Sequence, residues 1–223
     1  MERKFLIFNK TTILLLLGLL VPCASQAYVM PAEQVIQFMT ANFAKFDTLV
    51  IRQSTTRMQK GDSPEKVYEE VLSVKSPNLF HSSLLESSAE QKRVEDRVFR
   101  ELFIASSQRR LLPRLSELGI DTQQVAYTRL EGTVAFCIGE KDPEKPKLVI
   151  EKARVLPLLI VYRRPDQEAG ELVKVRFLDY RKVEQGWVPF EIHYFSGDQW
   201  IEKYSVHSVK VNVPLKPSLF SRQ

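Results

Sequence analysis

Hydrophobic and polar positions change period along the chain, and those changes divide it into elements. Val35, Ile36, Met39, Phe43 and Phe46 recur at helical spacing behind the opening Pro31-Ala32-Glu33-Gln34, where proline suits a first turn and an acid sits beside the helix's positive end. They form one apolar stripe, which serves equally a helix packed on a sheet or one closed over a ligand cavity. From Thr48 the period falls to two: Leu49, Ile51, Gln53 and Thr55 alternate with Val50, Arg52, Ser54 and Thr56, up to a turn at Lys60-Gly61-Asp62-Ser63-Pro64. Val67 to Val74 and Leu79 to Leu85 are the next strands, divided at Lys75-Ser76-Pro77-Asn78 because Pro77 has no N–H to donate and holds Ser76 extended.

The middle reads less regularly. Val94, Asp96 and Val98 alternate, which favours a strand over Arg93 to Arg100 ahead of a helix from about Ser107 to Leu118 that carries Leu111, Leu112, Leu115 and Leu118 and stops at Gly119. Pro113 lies inside that helix. Strands then follow at Val125–Glu131, Thr133–Ile138, Leu148–Ala153, Leu156–Tyr162, Leu172–Tyr180, Val188–Phe195 and Trp200–Val213, with turns at Gly132, Pro143, Pro165, Gly186 and Gly197. About ten short strands with two or three helices predict an α+β fold, a curved antiparallel sheet forming an incomplete, half-open barrel with the helices as a lid. Strand faces support this division. Val173, Val175 and Phe177 share one side, Lys174 and Arg176 the other; Val188, Phe190, Ile192 and Tyr194 oppose Trp187, Glu191, His193 and Phe195. A sheet with one dry face encloses either its own side chains or a cavity.

The first 27 residues have their own pattern. Arg3, Lys4 and Lys10 precede the apolar run Ile13–Val21, and Ser25-Gln26-Ala27 offers small residues at a peptidase site, so they predict a secretory signal peptide cleaved after Ala27. The run is shorter than the ~18 residues a membrane span needs. Cys23 is where a lipidated mature chain would begin, but Pro22 stands in place of the expected small residue, so Cys23 is expected to leave with the leader. Residues 28–223 then form a single exported domain of 196 residues, with Cys137 alone and no internal disulfide. The expected location is the periplasm, and the expected state a monomer.

Composition excludes more than it proposes. The mature part carries 29 Lys and Arg against 26 Asp and Glu, a scattered surplus of +3 that does not point to nucleic acid. His81, His193 and His207 stand apart without metal-ligand spacing, no Gly-x-Ser-x-Gly elbow occurs, and no glycine pattern suits a phosphate. The paired acids of Arg93-Val94-Glu95-Asp96-Arg97 suit a solvated face. The chain therefore reads as a binding protein, with no enzyme activity, metal or cofactor expected.

Val74-Lys75-Ser76-Pro77-Asn78-Leu79-Phe80 resembles the Lys-x-Pro-x-x-Phe junction of the periplasmic Lol-type outer-membrane lipoprotein carriers and sorting proteins. Phe177-Leu178-Asp179-Tyr180, Gly186-Trp187-Val188-Pro189 and Val209–Leu215 with Leu219-Phe220 resemble that family's ending, a Gly-x-x-Pro turn, a strand and an Asn-x-x-Leu tail. The Asp-Gly-x-x-Leu-Trp hairpin is absent here or reduced to Val94–Phe99, and the helix at Leu111–Leu118 is more prominent, as in a divergent relative. The resemblance implies an apolar cavity that shields lipoprotein acyl chains or free lipid, with inner- or outer-membrane transfer proteins as partners. Leu72, Val74, Phe80, Leu84, Val134, Phe136, Val175 and Phe177 are the expected lining, and Lys174 and Arg176 the rim charges. The same fold would also suit a lipid-sensing envelope regulator or a scaffold with a filled core.

Overall fold

A computed structural model describes residues 29–43, 46–58, 64–76, 79–85, 98–104, 108–164 and 172–220. The leader, the turn around Gly61, the Pro77-Asn78 break, Arg93–Arg97 and most of the loop after Arg164 lie outside the described residues. In chain order the elements are α1 (Ala32–Phe43), β1 (Thr48–Met58), β2 (Pro64–Lys75), β3 (Leu79–Leu84), α2 (Val98–Ile104) and α3 (Gln108–Glu117). They continue with β4 (Val125–Leu130), β5 (Thr133–Gly139), β6 (Lys147–Glu151), β7 (Pro157–Arg163), β8 (Leu172–Val183), β9 (Gly186–Ser196), β10 (Gln199–Val211) and a 3₁₀ turn at Pro217–Phe220.

All ten strands join one sheet in the order β3-β2-β1-β10-β9-β8-β7-β6-β5-β4, antiparallel at every pairing. β3 and β4 are the two edges and do not pair, so the sheet is an open half-barrel as the alternation predicts. The β1–β10 pairing brings the first and last strands together. Asn212, at φ 54°, holds that joint: its side chain accepts the Asp47 N–H at 3.0 Å and its own N–H donates to the Thr48 carbonyl at 2.8 Å. The asparagine of the tail motif thus fastens the first strand to the last.

Between the edge strands the chain crosses the sheet through α2 and α3. Val98–Arg100 are helical, which corrects the strand expected to run through Arg100. The reason is tertiary: Val98, Phe99 and Leu102 are buried together with the stripe of α1, and a helix turn alone puts all three on one side. Val35, Ile36 and Met39 of α1 and Leu111 and Leu115 of α3 pack with Phe136, Ile138, Leu148, Ile150, Ile160, Tyr162, Val173, Val175 and Phe177 on β5 to β8. Phe46 is corrected too. It lies beyond the end of α1 and packs in a separate apolar cluster with Leu49, Leu72, Val74, Phe80 and Val188.

α3 ends where Gly119 takes φ 81°. The Ile120 N–H reaches the Leu115 carbonyl at 3.0 Å and the Gly119 N–H the Ser116 carbonyl at 3.0 Å, while Ile120 and Leu115 are both buried, the pattern of a glycine-terminated helix with its hydrophobic clasp. The sheet's other face is mixed. Ala135, Cys137 and Val149 form a small buried patch, and Lys174 pairs with Glu144 and Asp198, Arg176 with Glu131, and Lys203 with Glu191. His193 stacks near Trp200, ring centroids 4.6 Å apart, with Nε2 2.6 Å from Glu191.

Two outcomes follow from these local arrangements. Pro113 is exposed inside α3 and offers no N–H to the preceding turn, so Pro113→Ala should raise stability by about 1–3 kcal/mol, measured by urea denaturation. Burial holds the His193 ring below its ordinary pKa of 6.5, outweighing the nearby Glu191 carboxylate. The unfolded chain therefore binds this proton first. The stabilisation contributed by neutral His193 is complete above about pH 6.5 and declines as pH falls toward the lower folded-state value, so His193→Gln should flatten that part of the melting-temperature profile.

Candidate functional site

The helices do not cover the sheet evenly. Ten strands spaced about 4.8 Å apart would span about 45 Å laid flat, whereas three helices of about 10 Å diameter cover about 30 Å. Among the described residues α1 and α3 are packed over the β5–β8 side, leaving β1, β2, β3 and the adjoining parts of β9 and β10 covered chiefly by α2 and Phe46. A partly open cavity of about 70 Å³ lies there. Its wall is Leu49 and Ile51 of β1, Leu72 and Val74 of β2, Phe80 of β3, Trp187, Val188, Pro189 and Ile192 of β9, and Tyr204 and Val206 of β10, roofed by Phe46, Phe99 and Arg100. Gln53 is the neutral polar side chain among them.

The sequence-predicted lining divides between two regions. Leu72, Val74 and Phe80 border the cavity, each less than a tenth exposed. Phe136, Val175 and Phe177 point to the same face but lie in the filled core beneath the helices, at 3%, 0% and 1% exposure. Val134 shares a face with Phe136, yet it stands at the start of β5, past the helical cover, and is 38% exposed. Leu84 is half-buried at the end of β3, opposite Glu70, and takes no part in the wall. Lys174 and Arg176 lie on the outer face in ion pairs, away from any rim of this cavity. Two-residue periodicity identifies the face but not which stretch of it a helix fills.

Beside the apolar wall lies a buried polar floor that alternation also foreshadows, since Gln53 and Thr55 continue the Leu49-Ile51 face and Glu70 the Leu72-Val74 face. Glu70, 2% exposed, accepts from Gln53 Nε2 at 2.7 Å and Thr55 Oγ1 at 2.8 Å through one oxygen, and from Ser82 Oγ at 2.7 Å through the other. Glu202, 1% exposed, accepts from Arg57 Nη2 at 2.8 Å and Tyr68 OH at 3.4 Å, and its second oxygen from Tyr204 OH at 2.6 Å. Both carboxylates are thereby answered inside the protein, as burial demands. Burial first, then the Glu202 charge, pushes the Tyr204 hydroxyl well above its ordinary pKa, so it stays a neutral donor.

Arg100 is placed differently. Its guanidinium carbon lies 4.8 Å from the centroid of Phe80, 5.4 Å from Phe99 and 5.7 Å from Tyr204, over ring faces that attract a cation. α2 is therefore held to β3 and β10 largely by a cation on aromatic rings and by the burial of Phe99. The three histidines stay apart: His193 faces Glu191, His207 lies 3.4 Å from Glu69, and His81 is on β3. Among the described residues no three His, Cys, Asp or Glu side chains gather as a metal site.

A filled region and a hollow one on a single face respond differently to truncation. Phe136→Ala should cost about 3–5 kcal/mol. Phe80→Ala, whose ring already borders empty space, should cost less. Urea unfolding of the two variants measures the difference.

No protein-family model matches the chain, and no curated protein matches it. Among solved structures it is similar to a LolA superfamily protein from Nitrosomonas europaea, with a TM-score of 0.56 at 10% identity over 87% of this chain and 99% of that one. It is also similar to a putative outer membrane lipoprotein-sorting protein domain from Vibrio parahaemolyticus, with a TM-score of 0.49 at 10% identity over 86% of this chain and 98% of that one. The open, ten-stranded antiparallel sheet with its helices thus shares its fold with that LolA superfamily structure, over 87% of this chain.

Proposed function

We propose that this chain is a periplasmic carrier that shields the acyl chains of a lipoprotein, or another lipid, during transfer toward the outer membrane. The observation that carries the reading is the cavity beside β1, β2 and β3, walled chiefly by apolar side chains and roofed in part by a helix of only seven residues. An acyl chain gains about 0.8 kcal/mol for each CH₂ taken out of water, which makes any apolar shelter of sufficient length a strong site.

At about 70 Å³ the cavity is roughly half the ~150 Å³ hollow that admits one benzene. A long chain enters only if something moves aside. α2 is the element suited to move, because Phe99 and Arg100 form the roof while the wall is fixed by strand pairing. A ligand that binds the opened state better than the closed one shifts the population by that difference in affinity. Release needs only that reclosing be nearly balanced against the lipid's burial.

The leader pattern, the fold shared with the solved structure and the apolar wall support the reading of an exported lipid binder. Native mass spectrometry of protein taken from the periplasm is expected to find an acyl-lipid mass on part of the population. A protein free of lipid that also fails to take up a fluorescent fatty acid would sink the proposal. Filling the hollow provides a second check. Val74→Phe should lower fatty-acid uptake at least tenfold, since excluding even two methylenes forfeits about 1.6 kcal/mol, while leaving the melting temperature equal or higher. Gly186→Ala should also lower uptake but with a lower melting temperature, because the added methyl would stand 2.2 Å from Phe46 Cζ and displace that roof ring.

A further inference from the structure

We infer that Arg100 fits the cavity to an amphiphile with an anionic head, the tail lying along Leu49, Leu72 and Val74 and the carboxylate or phosphate on the guanidinium. The inference rests on the carrier reading and adds to it the chemical class of the guest. Among the described residues no carboxylate lies within ion-pair distance of Arg100, whose neighbours are the rings of Phe80, Phe99 and Tyr204. The nearby buried acids are already answered, Glu70 by Gln53, Thr55 and Ser82, and Glu202 by Arg57, Tyr68 and Tyr204.

A cation set into an apolar wall is costly unless something offsets its lost hydration. Three aromatic faces do so in part. They leave the five N–H donors in the guanidinium plane without acceptors among the described residues, and that planar fork matches a carboxylate or phosphate. An anion there would gain a charge-assisted hydrogen bond in surroundings drier than water. A neutral ester of equal length would lose that bond and keep only the burial of its tail. Because Arg100 is on α2, the same contact would draw the helix back over a bound chain.

The test compares binding of a fluorescent polyene fatty acid, its methyl ester and a lysophosphatidic acid to the full-length exported protein at pH 8, with wild type, Arg100→Gln and Arg100→Lys. The acids are expected to bind wild type about tenfold or more tightly than the ester. Arg100→Gln should bring the acids down to the ester's level with the ester unchanged, and Arg100→Lys should keep part of the preference. Whichever acid binds tighter names the head group. Equal affinity of wild type for acid and ester, or undiminished preference in Arg100→Gln, would overturn the head-group assignment while leaving the carrier reading standing. Failure of all three ligands to bind would overturn both. Thermal melts of the two variants check that the fold is intact.

Discussion

A sheet wider than its helical cover is the constraint on which this structure turns. Pairing fixes the ten strands side by side, and a sheet this broad has one face to keep dry. α1 and α3 spend their apolar stripes on β5 to β8, where Tyr162, Val173 and Val175 are wholly buried. Among the described residues, what remains over β1, β2 and β3 is too broad for α2 to fill. The hollow follows from that shortfall of helix, not from any special residue.

Several features gain sense from the same shortfall. β1, although first in sequence, sits mid-sheet because β10 returns to pair with it, and Asn212 fastens the two together beside the cavity end of the sheet. The strands that wall the hollow are thereby held rigidly, each hydrogen-bonded on both sides except β3. On the proposed carrier reading, opening falls to the roof. The polar floor of Glu70 and Glu202 with their six donors pins β1, β2, β3 and β10 in register at the closed end, where a one-residue slip would strand two buried charges. An apolar wall, a satisfied polar floor and a short roof divide the labour of the site.

Much of the fold was legible in the sequence because a period of two is hard to mistake when it recurs. Val173-Val175-Phe177 against Lys174-Arg176 gave the faces of β8, and Gly119 gave the end of α3. α2 was not legible. Val94, Asp96 and Val98 alternate as a strand does, and only burial against α1 makes Val98, Phe99 and Leu102 a helix face. The site was half legible for the same kind of reason. Leu72 and Val74 read identically to Val175 and Phe177, and what separates hollow from core is where helices lie, which no strand encodes in its own residues. Val134 shows the converse, a residue on the same face as Phe136 that the described residues leave 38% exposed. Glu70 and Gln53 continued apolar faces, a signal of a buried polar pair that alternation offers to a reader who follows it past the last aliphatic residue.

The most direct measurement uses the two tryptophans. Trp187 lines the cavity and Trp200 lies on the outer face near His193 and Phe195. In a Trp200→Phe background, titration with a fatty acid brominated along its chain should quench Trp187 fluorescence saturably, to a degree that depends on the bromine's position. Binding of the same lipid that leaves Trp187 unquenched, or quenching that rises linearly without saturation, would contradict a guest held in this hollow.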